Sequence, residues 1–402
     1  MNVLFLLPRY SENIEDSTLE KELVEEFSAQ GNKVLVATIL EEGKTHLKNI
    51  RNMQLLKINC GKYYSKGTNK IDKGITLLKI PFLFSLKIKE KIKEKIDLII
   101  LSTPMFNNPY LIKKLKSYFK CEVLLIIWDI FPQNAVDLKM IKNQFLIKYL
   151  KGKYKKAMEV SNYITVMSKG NKEYIKNVFG IERKKIIFLR NWAFIKPKIA
   201  ENKEEIRKEY NYLINDFLLV FGGNMGKPQK LENILLLAEK CLEFPDVKFI
   251  LVGTGSEKNR LKNIVKDNLI KNVIFIDQLP RKEYEKLAYS CNIGLISLDE
   301  RFTVPNFPSK TTDYFKLSLP ILASLDACSA EDYGKFLEEK AKGGIFAKAG
   351  NIEDLYEKFL ILYKNNAIRE ELGENGRKYY EEHLGVDKAY QTIMNAINDK
   401  KM

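Results

Sequence analysis

Short apolar runs recur along the chain, and most are followed by a polar loop and an amphipathic stretch. We predict strands at 3–7, 34–39, 97–101, 123–127, 163–167, 186–189, 217–221, 249–252, 273–276, 293–298 and 319–323. Apolar runs of this length that alternate with helical periodicity are typical of an α/β protein. Ser17 and Glu20 form a predicted capping box for the first helix. Further helices are predicted near 351–364, 366–382 and 387–400.

The strand, loop, helix and strand pattern is clearest at residues 292–323. Its helix opens at Pro308-Ser309-Lys310. Free N–H groups and the positive end of the helix dipole favour an anion at such a helix start, and Lys310 adds a full charge. Asp313, one turn further, offers a carboxylate acceptor suited to ribose hydroxyls. These features predict a phosphate site, although an ordinary helix start with a solvated Lys and Asp has the same pattern.

A second candidate loop follows the strand at 217–221. It contains Gly222, Gly223, Asn224, Lys227 and Lys230. Glycines allow close approach of the backbone to a ligand, and the lysines supply charge for a phosphate. The spacing is not that of a Walker loop. The later Gly253-Thr254-Gly255 lacks the third glycine of a dinucleotide fingerprint and predicts a tight turn instead.

Three more loops lie where strands end, which is where open α/β sheets bind ligands. Residues 9–16 follow the first strand, and Gln278 and Leu279 follow the strand at 273–276. Asp129 comes just after a fully apolar strand. A charge there is unexpected for packing and favours a carboxylate in a cleft, although a turn cap is the alternative.

Residues 75–96 combine an apolar front with a lysine-rich tail in which Ile88, Ile92 and Ile96 recur at helical spacing. A basic amphipathic helix of this kind can lie on an anionic membrane surface. The alternative is a core-packed helix with a solvated lysine face. The segment is therefore a candidate membrane contact.

Charge and cysteine content limit the partners and the compartment that we expect for the protein. The net charge of +16 is uneven: residues 1–200 carry 37 Lys and Arg against 19 Asp and Glu, whereas residues 201–402 carry 30 against 32. No zinc-finger, RNP-type or basic-arm pattern accompanies this charge, so we expect no nucleic-acid partner. The five cysteines are scattered and contain no CxxC, which predicts a reducing compartment without a zinc site. The opening MNVLFLLPRY is read as a first strand and not a signal peptide, and we expect a cytoplasmic protein.

Four stretches of the second half carry a family resemblance. They are GGNMGKPQKLENILLLA, FILVGTGSEKNRLK, VIFIDQLPRKEYEKLAYSCNIGLISL and FPSKTTDYFKLSLPILAS. In this order and spacing they resemble the donor domain of retaining GT-B glycosyltransferases of family 4. The nearest members extend polyprenyl-diphosphate-linked sugars for O-antigen or capsule. WDIFPQ and RNW carry the resemblance in the first half, which extends over roughly residues 1–395.

The resemblance implies an α/β fold of two Rossmann-like domains facing a central cleft. The implied division is an acceptor-binding domain at 1–193, a linker at 194–203, a nucleotide-sugar-binding domain at 204–385 and a C-terminal helix at 386–402 that packs on the first domain. The implied site has catalytic Asp129, Lys230, Lys310 and Asp313, and donor-binding Gly222, Gly223, Asn224, Lys227, Gln278, Leu279, Ser309 and Thr311.

Three departures from the family pattern bear on sugar recognition. Pro305 and Asp313 occupy the positions of the family's paired glutamates, E-x7-E. The first loop reads Ser11-Glu12-Asn13-Ile14 where two glycines are usual, and Trp128 precedes Asp129 where many members have a cleft histidine. The resemblance therefore implies base and diphosphate binding but leaves the donor sugar open.

The implied activity is retaining transfer of a sugar, an N-acetylated hexosamine or a related sugar, from a UDP donor to a polyprenyl-diphosphate-linked saccharide at the inner-membrane surface. It implies no metal, and the sequence has no D-x-D motif. A GT-B sugar-nucleotide epimerase and a non-catalytic, nucleotide-sugar-binding subunit remain as alternatives.

Overall fold

The computed structural model describes residues 1–13, 16–65 and 69–399 of the chain. Its described residues form two compact units. The first contains residues up to Gln133, Ile141–Trp192 and the described residues from Val386 onward. The second contains Asn134–Met140 and Ala193–Gly385. Ile14 and Glu15 of the predicted ligand loop and residues 400–402 of the predicted C-terminal segment lie outside the described residues.

The first unit is built on one largely parallel sheet. Its strands are β1 Asn2–Leu7, β2 Lys33–Leu40, β3 His46–Ile50, β4 Met53–Asn59, β5 Leu98–Ser102, β6 Glu122–Ile126, β7 Tyr163–Val166 and β8 Ile186–Phe188. The strand order is β3-β4-β2-β1-β5-β6-β7-β8, and β3 is antiparallel to β4. The helices are α1 Leu19–Ala29, α2 Lys70–Lys91, α3 Pro109–Phe119, α5 Gln144–Val160 and α6 Lys169–Phe179, whereas α4 Gln133–Asp137 belongs to the second unit from residue 134 onward. The strands β1, β5 and β6 are almost fully buried, as expected of a parallel sheet covered on both faces.

The second unit repeats this architecture with a parallel sheet of order β11-β10-β9-β12-β13-β14. Its strands are β9 Phe217–Gly222, β10 Val247–Val252, β11 Val273–Ile276, β12 Ile293–Ser297, β13 Ile321–Leu325 and β14 Gly344–Lys348. The helices are α7 Lys203–Glu209, α8 Glu232–Lys240, α9 Lys258–Asp267, α10 Arg281–Ser290, α11 Lys310–Lys316, α12 Ala327–Ser329, α13 Ile352–Lys364 and α14 Asn366–His383. Both sheets are Rossmann-like, which confirms the predicted fold class.

The last helix, α15 Val386–Asn398, belongs to the first unit, where it packs on α1. The ring of Tyr390 meets that of Phe27 at a centroid distance of 4.7 Å, and its hydroxyl oxygen accepts a 3.1 Å hydrogen bond from Nδ2 of Asn32. Ile393 and Ile397 are fully buried. The apolar face of α15 thus completes the core of the first unit.

Residues 134–140 pack in the second unit although the sequence division places them in the first domain. One carboxylate oxygen of Asp137 accepts hydrogen bonds from the backbone N–H (2.8 Å) and the hydroxyl (2.9 Å) of Thr303. Nδ2 of Asn134 donates to Oδ1 of Asn306 at 3.0 Å, and Leu138 is buried. These contacts lie more than 160 residues apart in sequence, so local pattern carries no signal for them.

Two local predictions for helices need correction. The N-cap of α1 is Thr18, whose hydroxyl accepts from the backbone N–H of Lys21, whereas Ser17 bonds to Glu22. The helix predicted within 75–96 begins at Lys70 and ends at Lys91. Its alternative, a core-packed helix, is partly correct, because Ile80, Phe84 and Ile88 are buried at four-residue spacing.

Candidate functional site

A pocket of about 420 Å³ lies in the second unit, where β9, β10 and β11 end. It is lined by Gly222, Gly223, Asn224, Val252, Gly253, Thr254, Gln278, Leu279, Arg281, Tyr284 and Asp313. The carboxyl ends of parallel strands meet at one edge of the sheet, which brings these three loops together. Six residues predicted as donor ligands or catalytic groups are among the lining: Gly222, Gly223, Asn224, Gln278, Leu279 and Asp313.

Two glycines allow the first two loops to touch. Gly223 has a φ of +129° and Gly253 a φ of +138°, values that side chains rarely adopt. A Cβ on Gly253 would lie 2.0 Å from the carbonyl oxygen of Gly223. Backbone therefore forms this wall of the pocket, and a ligand can approach its peptide groups closely.

Lys258 fixes the neighbouring loops. The residue is 7% exposed, and its ammonium donates to the carbonyl oxygens of Gly253 (2.7 Å) and Ile276 (3.0 Å) and to Oδ1 of Asp277 (2.6 Å). Lys258 stands where a dinucleotide fingerprint has its third glycine, and this long side chain packs across the turn instead. It therefore fixes the loops after β10 and β11 relative to each other beside the pocket.

Lys310, at the start of α11, lies beside Gly223 of the pocket wall but is not itself a lining residue. Its Nζ donates to Oε1 of Gln229 at 3.0 Å and lies 4.7 Å from the centroid of the Phe221 ring. A Cβ on Gly223 would be 3.4 Å from its Cε. Burial lowers the pKa of Lys310 to about 8, although the nearby Asp313 carboxylate acts in the opposite direction. An anion in the pocket would supply the charge partner that this ammonium needs.

The start of α11 is a weaker anion site than the sequence predicts. The helix spans only seven residues, from Lys310 to Lys316. Its N-cap Ser309 is exposed and has helical dihedral angles, with no side-chain capping bond. A short helix contributes little dipole, so the cation of Lys310 is the main electrostatic feature at this position.

Asp313 is already paired on the wall of the pocket. Its carboxylate forms an ion pair with Arg281, and the guanidinium also donates to Oε1 of Glu285 at 2.7 Å. Glu285 in turn accepts a 2.6 Å bond from the ammonium of Lys316. Burial acts to lower the pKa of Arg281, but the carboxylates of Asp313 and Glu285 raise it overall. A ligand hydroxyl that binds Asp313 must therefore share it with Arg281.

Five of the residues predicted for the donor site do not line this pocket: Lys227, Lys230, Ser309, Lys310 and Thr311. Lys227 and Lys230 border a separate depression of about 160 Å³, and Nζ of Lys230 lies 3.6 Å from Oε1 of Glu300. The prediction for the side chain of Thr311 is wrong. It is fully buried, and its hydroxyl is hydrogen-bonded to that of Tyr333 at 2.7 Å.

Asp129 belongs to the first unit, in the turn after β6. Its side chain is exposed, and its backbone carbonyl accepts hydrogen bonds from the hydroxyl of Tyr154 (2.9 Å) and the N–H of Phe131 (3.0 Å). The turn is thus held by its backbone, and the surrounding protein raises the pKa of the accessible Asp129 carboxyl by desolvation. This arrangement suits a residue that acts on a ligand.

Arg281 and Tyr284 are lining residues that the sequence reasoning missed. Both lie at the start of α10, directly after the loop predicted to hold a base. A Cβ on Gly222 would lie 2.1 Å from the hydroxyl oxygen of Tyr284, so this glycine makes room for the ring. The sequence feature that indicates both residues is their position within one helical turn of a loop at the carboxyl edge of the sheet.

Among the described residues there is no group of His, Cys, Asp and Glu side chains able to hold a metal ion. Within the described ranges, no helix combines the length and the apolar character needed to cross a bilayer.

Comparisons with known proteins place the second unit in a family. Residues 202–379 match the family described as glycosyl transferases group 1. An uncharacterized glycosyltransferase of Methanocaldococcus jannaschii is 28% identical over 277 residues, 67% of this chain and 70% of that protein. The probable glycosyltransferase WbjE of Pseudomonas aeruginosa is 23% identical over 281 residues, 66% and 67% of the two chains. The chitobiosyldiphosphodolichol beta-mannosyltransferase of Candida albicans is 25% identical over 223 residues, 52% and 48%.

Solved structures share the fold across nearly the whole chain. Sucrose-phosphate synthase from Thermosynechococcus elongatus superposes with a TM-score of 0.76 at 14% identity, over 100% of this chain and 99% of that one. Anabaena HepE in complex with UDP gives a TM-score of 0.68 at 12% identity, over 99% and 100%. Residues 202–379 therefore match the group 1 glycosyl transferases, and the whole chain shares its fold with these solved structures.

Proposed function

We propose that the protein is a retaining glycosyltransferase that takes a UDP-linked sugar in the 420 Å³ pocket of the second unit. The observation that carries this proposal is the meeting of Lys310 with the glycine loop at Gly223 beside that pocket. A half-buried ammonium next to open backbone is suited to a diphosphate. HepE, which shares the fold, has been solved with UDP bound.

Each part of the donor has a proposed partner. Backbone groups of Gln278 and Leu279 hold the uracil, and Asp313 binds the ribose hydroxyls in exchange for part of its pairing with Arg281. Lys310 binds the diphosphate, with Ser309 next to it in the chain and Lys230 next to its hydrogen-bond partner Gln229. The sugar is an N-acetylated hexosamine or a related hexose.

The proposed reaction breaks the bond between the sugar and the β-phosphate and leaves UDP as the product. Lys310 stabilises the negative charge that develops on the leaving diphosphate, a preorganised electrostatic effect that replaces a metal. A phosphate oxygen of the donor takes the proton of the acceptor hydroxyl on the same face of the sugar. Asp129 orients the sugar or the acceptor.

The proposed acceptor is a polyprenyl-diphosphate-linked saccharide used for O-antigen or capsule. The name of the Candida relative describes transfer to a sugar on a diphosphate-linked lipid, which is the same chemical class. We propose that segment 75–96 brings the enzyme to the anionic cytoplasmic face of the membrane. Ile75, Leu78, Phe82 and Leu86 of this segment are exposed, and lysines accompany them.

Calorimetric titration with UDP, followed by assay with a panel of UDP-sugars, tests the proposal. We expect UDP to bind more tightly than UMP, because Lys310 contacts the diphosphate. Transfer should require a lipid-linked acceptor. A new nucleotide sugar formed from donor alone would instead indicate the epimerase, and UDP binding without transfer to any acceptor would indicate the non-catalytic subunit.

A further inference from the structure

A second pocket, of about 280 Å³, lies in the first unit between α2 and α5. It is lined by Tyr63, Leu77, Pro81, Pro104, Met105, Asn107, Asn108, Phe131, Leu150, Lys153 and Tyr154. Most of these side chains are apolar or aromatic, while Lys153 brings a cation and the asparagines bring amides. The lining therefore fits a ligand with an apolar chain and an anionic end.

The helices that wall this pocket also expose large apolar side chains to solvent. On α2, Leu78 is 72% exposed and Phe82 is 60% exposed, and Leu77 of the pocket is itself 41% exposed. On α5, Phe145 is 87% exposed and Tyr149 lies one turn before Lys153. Exposed apolar residues grouped on neighbouring helices mark an interaction surface rather than a solvated face.

The charge of this region complements a phosphate-bearing bilayer. Residues 1–200 carry 37 Lys and Arg against 19 Asp and Glu. Lysines at 73 and 79 of α2 and at 148 and 151 of α5 accompany the exposed apolar residues. A lipid whose tail lies in a membrane next to these helices would meet both the apolar surface and the cations.

The inner end of the pocket adjoins the turn of Asp129. Tyr154 lines the pocket, and its hydroxyl donates to the backbone carbonyl of Asp129 at 2.9 Å. Phe131, two residues after Asp129, is a second lining residue. A ligand anchored between α2 and α5 would therefore have its polar end within reach of the Asp129 turn.

We propose that this pocket binds the first isoprene units and the diphosphate of the lipid-linked acceptor, with the rest of the prenyl chain in the bilayer beside Leu78 and Phe82. Lys153 pairs with the diphosphate, and Leu77, Pro81 and Leu150 contact the chain. This inference rests on the proposed function, because it assigns the acceptor of that reaction to a place in the first unit.

Titration of the full-length protein with farnesyl diphosphate, a short soluble prenyl diphosphate, tests the assignment. We expect it to bind about tenfold or more tightly than inorganic diphosphate, since several methylenes leave water. Leu77→Glu should weaken farnesyl diphosphate binding about tenfold. Leu213→Glu, at an equally apolar and 69% exposed position of the second unit, should leave this binding unchanged. Equal affinities for the two diphosphates, or equal effects of the two substitutions, would overturn the proposal.

Lys153→Met provides a second and independent variant. It should weaken binding of farnesyl diphosphate but leave farnesol binding unchanged, because only the diphosphate needs the cation. Dihexanoyl phosphatidic acid that binds as tightly as farnesyl diphosphate would show a general phospholipid site and would also overturn the prenyl assignment.

The same samples are titrated with UDP, which binds in the second unit. Intact UDP binding without prenyl diphosphate binding rejects this inference and leaves the proposed function standing. Prenyl diphosphate binding without UDP binding rejects the proposed donor site and leaves the lipid pocket standing. The two failures are therefore distinguishable.

Discussion

The ammonium of Lys310 donates a 3.0 Å hydrogen bond to the amide oxygen of Gln229, which joins two segments 81 residues apart in the sequence. This contact brings the cation beside Gly223, at the end of β9. Two loops of the sheet edge thus meet at one half-buried positive charge. The donor site that we propose depends on this meeting point.

Replacement of this cation tests its role in turnover. We expect Lys310→Ala and Lys230→Ala each to lower kcat by roughly 10² or more, the scale seen when one charge-stabilising donor is removed. Lys266→Ala, on the exposed side of α9, is the matched control and should have near-normal kcat. Steady-state assays with UDP-sugar and lipid-linked acceptor measure the effect. Near-wild-type rates for both variants would contradict the assignment.

The low pKa of Lys310 predicts a pH dependence of donor binding. Its value of about 8 means that the free protein carries this charge below pH 8 and loses it as the pH rises. The affinity for UDP should therefore fall above about pH 8. The phosphates of UDP do not cause this fall, because their second pKa is about 6 and they stay fully ionised in this range. Titrations between pH 7 and pH 9.5 measure this, and Lys310→Met is the comparison because it cannot titrate. A decline of equal size in the variant would rule out Lys310 as its cause.

The pairing of Asp313 with Arg281 predicts how ribose is recognised. Asp313→Asn should weaken UDP binding about tenfold, because a hydrogen bond to a charged acceptor contributes roughly 1.5–3 kcal/mol. The same substitution should have little effect on 2′,3′-dideoxy-UDP, which lacks the hydroxyls. Calorimetric titration of the wild type and the variant with UDP and with 2′,3′-dideoxy-UDP forms a double-mutant cycle. This cycle isolates the interaction between Asp313 and the ribose hydroxyls. Equal losses for both ligands would indicate that Asp313 acts only through Arg281.

Lys258 predicts a stability effect in the second unit. Lys258→Met removes the charged donor from two backbone carbonyls and should lower the free energy of unfolding by about 1–3 kcal/mol. Lys262→Met, one turn later and exposed, is the matched control and should change it little. Urea unfolding monitored by circular dichroism measures both variants. Identical midpoints would show that the three hydrogen bonds of Lys258 contribute no net stability.

The contact between Gly253 and Gly223 predicts a backbone-specific defect. Gly253→Ala would bring a Cβ within 2.0 Å of a carbonyl oxygen, so the two loops must separate. We expect the variant to lose more than about 2 kcal/mol of stability and most of its UDP affinity. Gly31→Ala also has positive φ, +78°, but no atom lies within 4 Å of its Cβ. It should cost only about 1–2 kcal/mol, and a similar loss in the two variants would refute the close-contact explanation.

The sequence predicts the central strands of both sheets because each is a continuous apolar run that is buried on both faces. It carries less signal for the sheet edges. The strand β3 reads HLKNI and is largely exposed, and β14 has a mixed burial pattern, so neither has the apolar run of an interior strand. The sequence analysis therefore predicts the interior of each sheet better than its margins.

The same distinction holds for the candidate site, where positions at strand ends are predictable from the sequence and side-chain contacts are not. Gly223 and Gln278 follow predicted strands, and strand ends converge in any parallel sheet, so their meeting in one pocket is predictable. The ion pair between Arg281 and Asp313 joins residues 32 apart and depends on side-chain direction, for which the pattern has no signal. Thr311 fails for the same reason, because its hydroxyl meets Tyr333 inside the core.

A crystal structure of the protein soaked with UDP tests the donor site most directly. The account predicts UDP in the pocket lined by Gly223, Gln278 and Asp313, with its diphosphate bonded to Nζ of Lys310 and its ribose at Asp313. UDP bound elsewhere, or no UDP at saturating concentration with Lys310 directed into solvent, would contradict it.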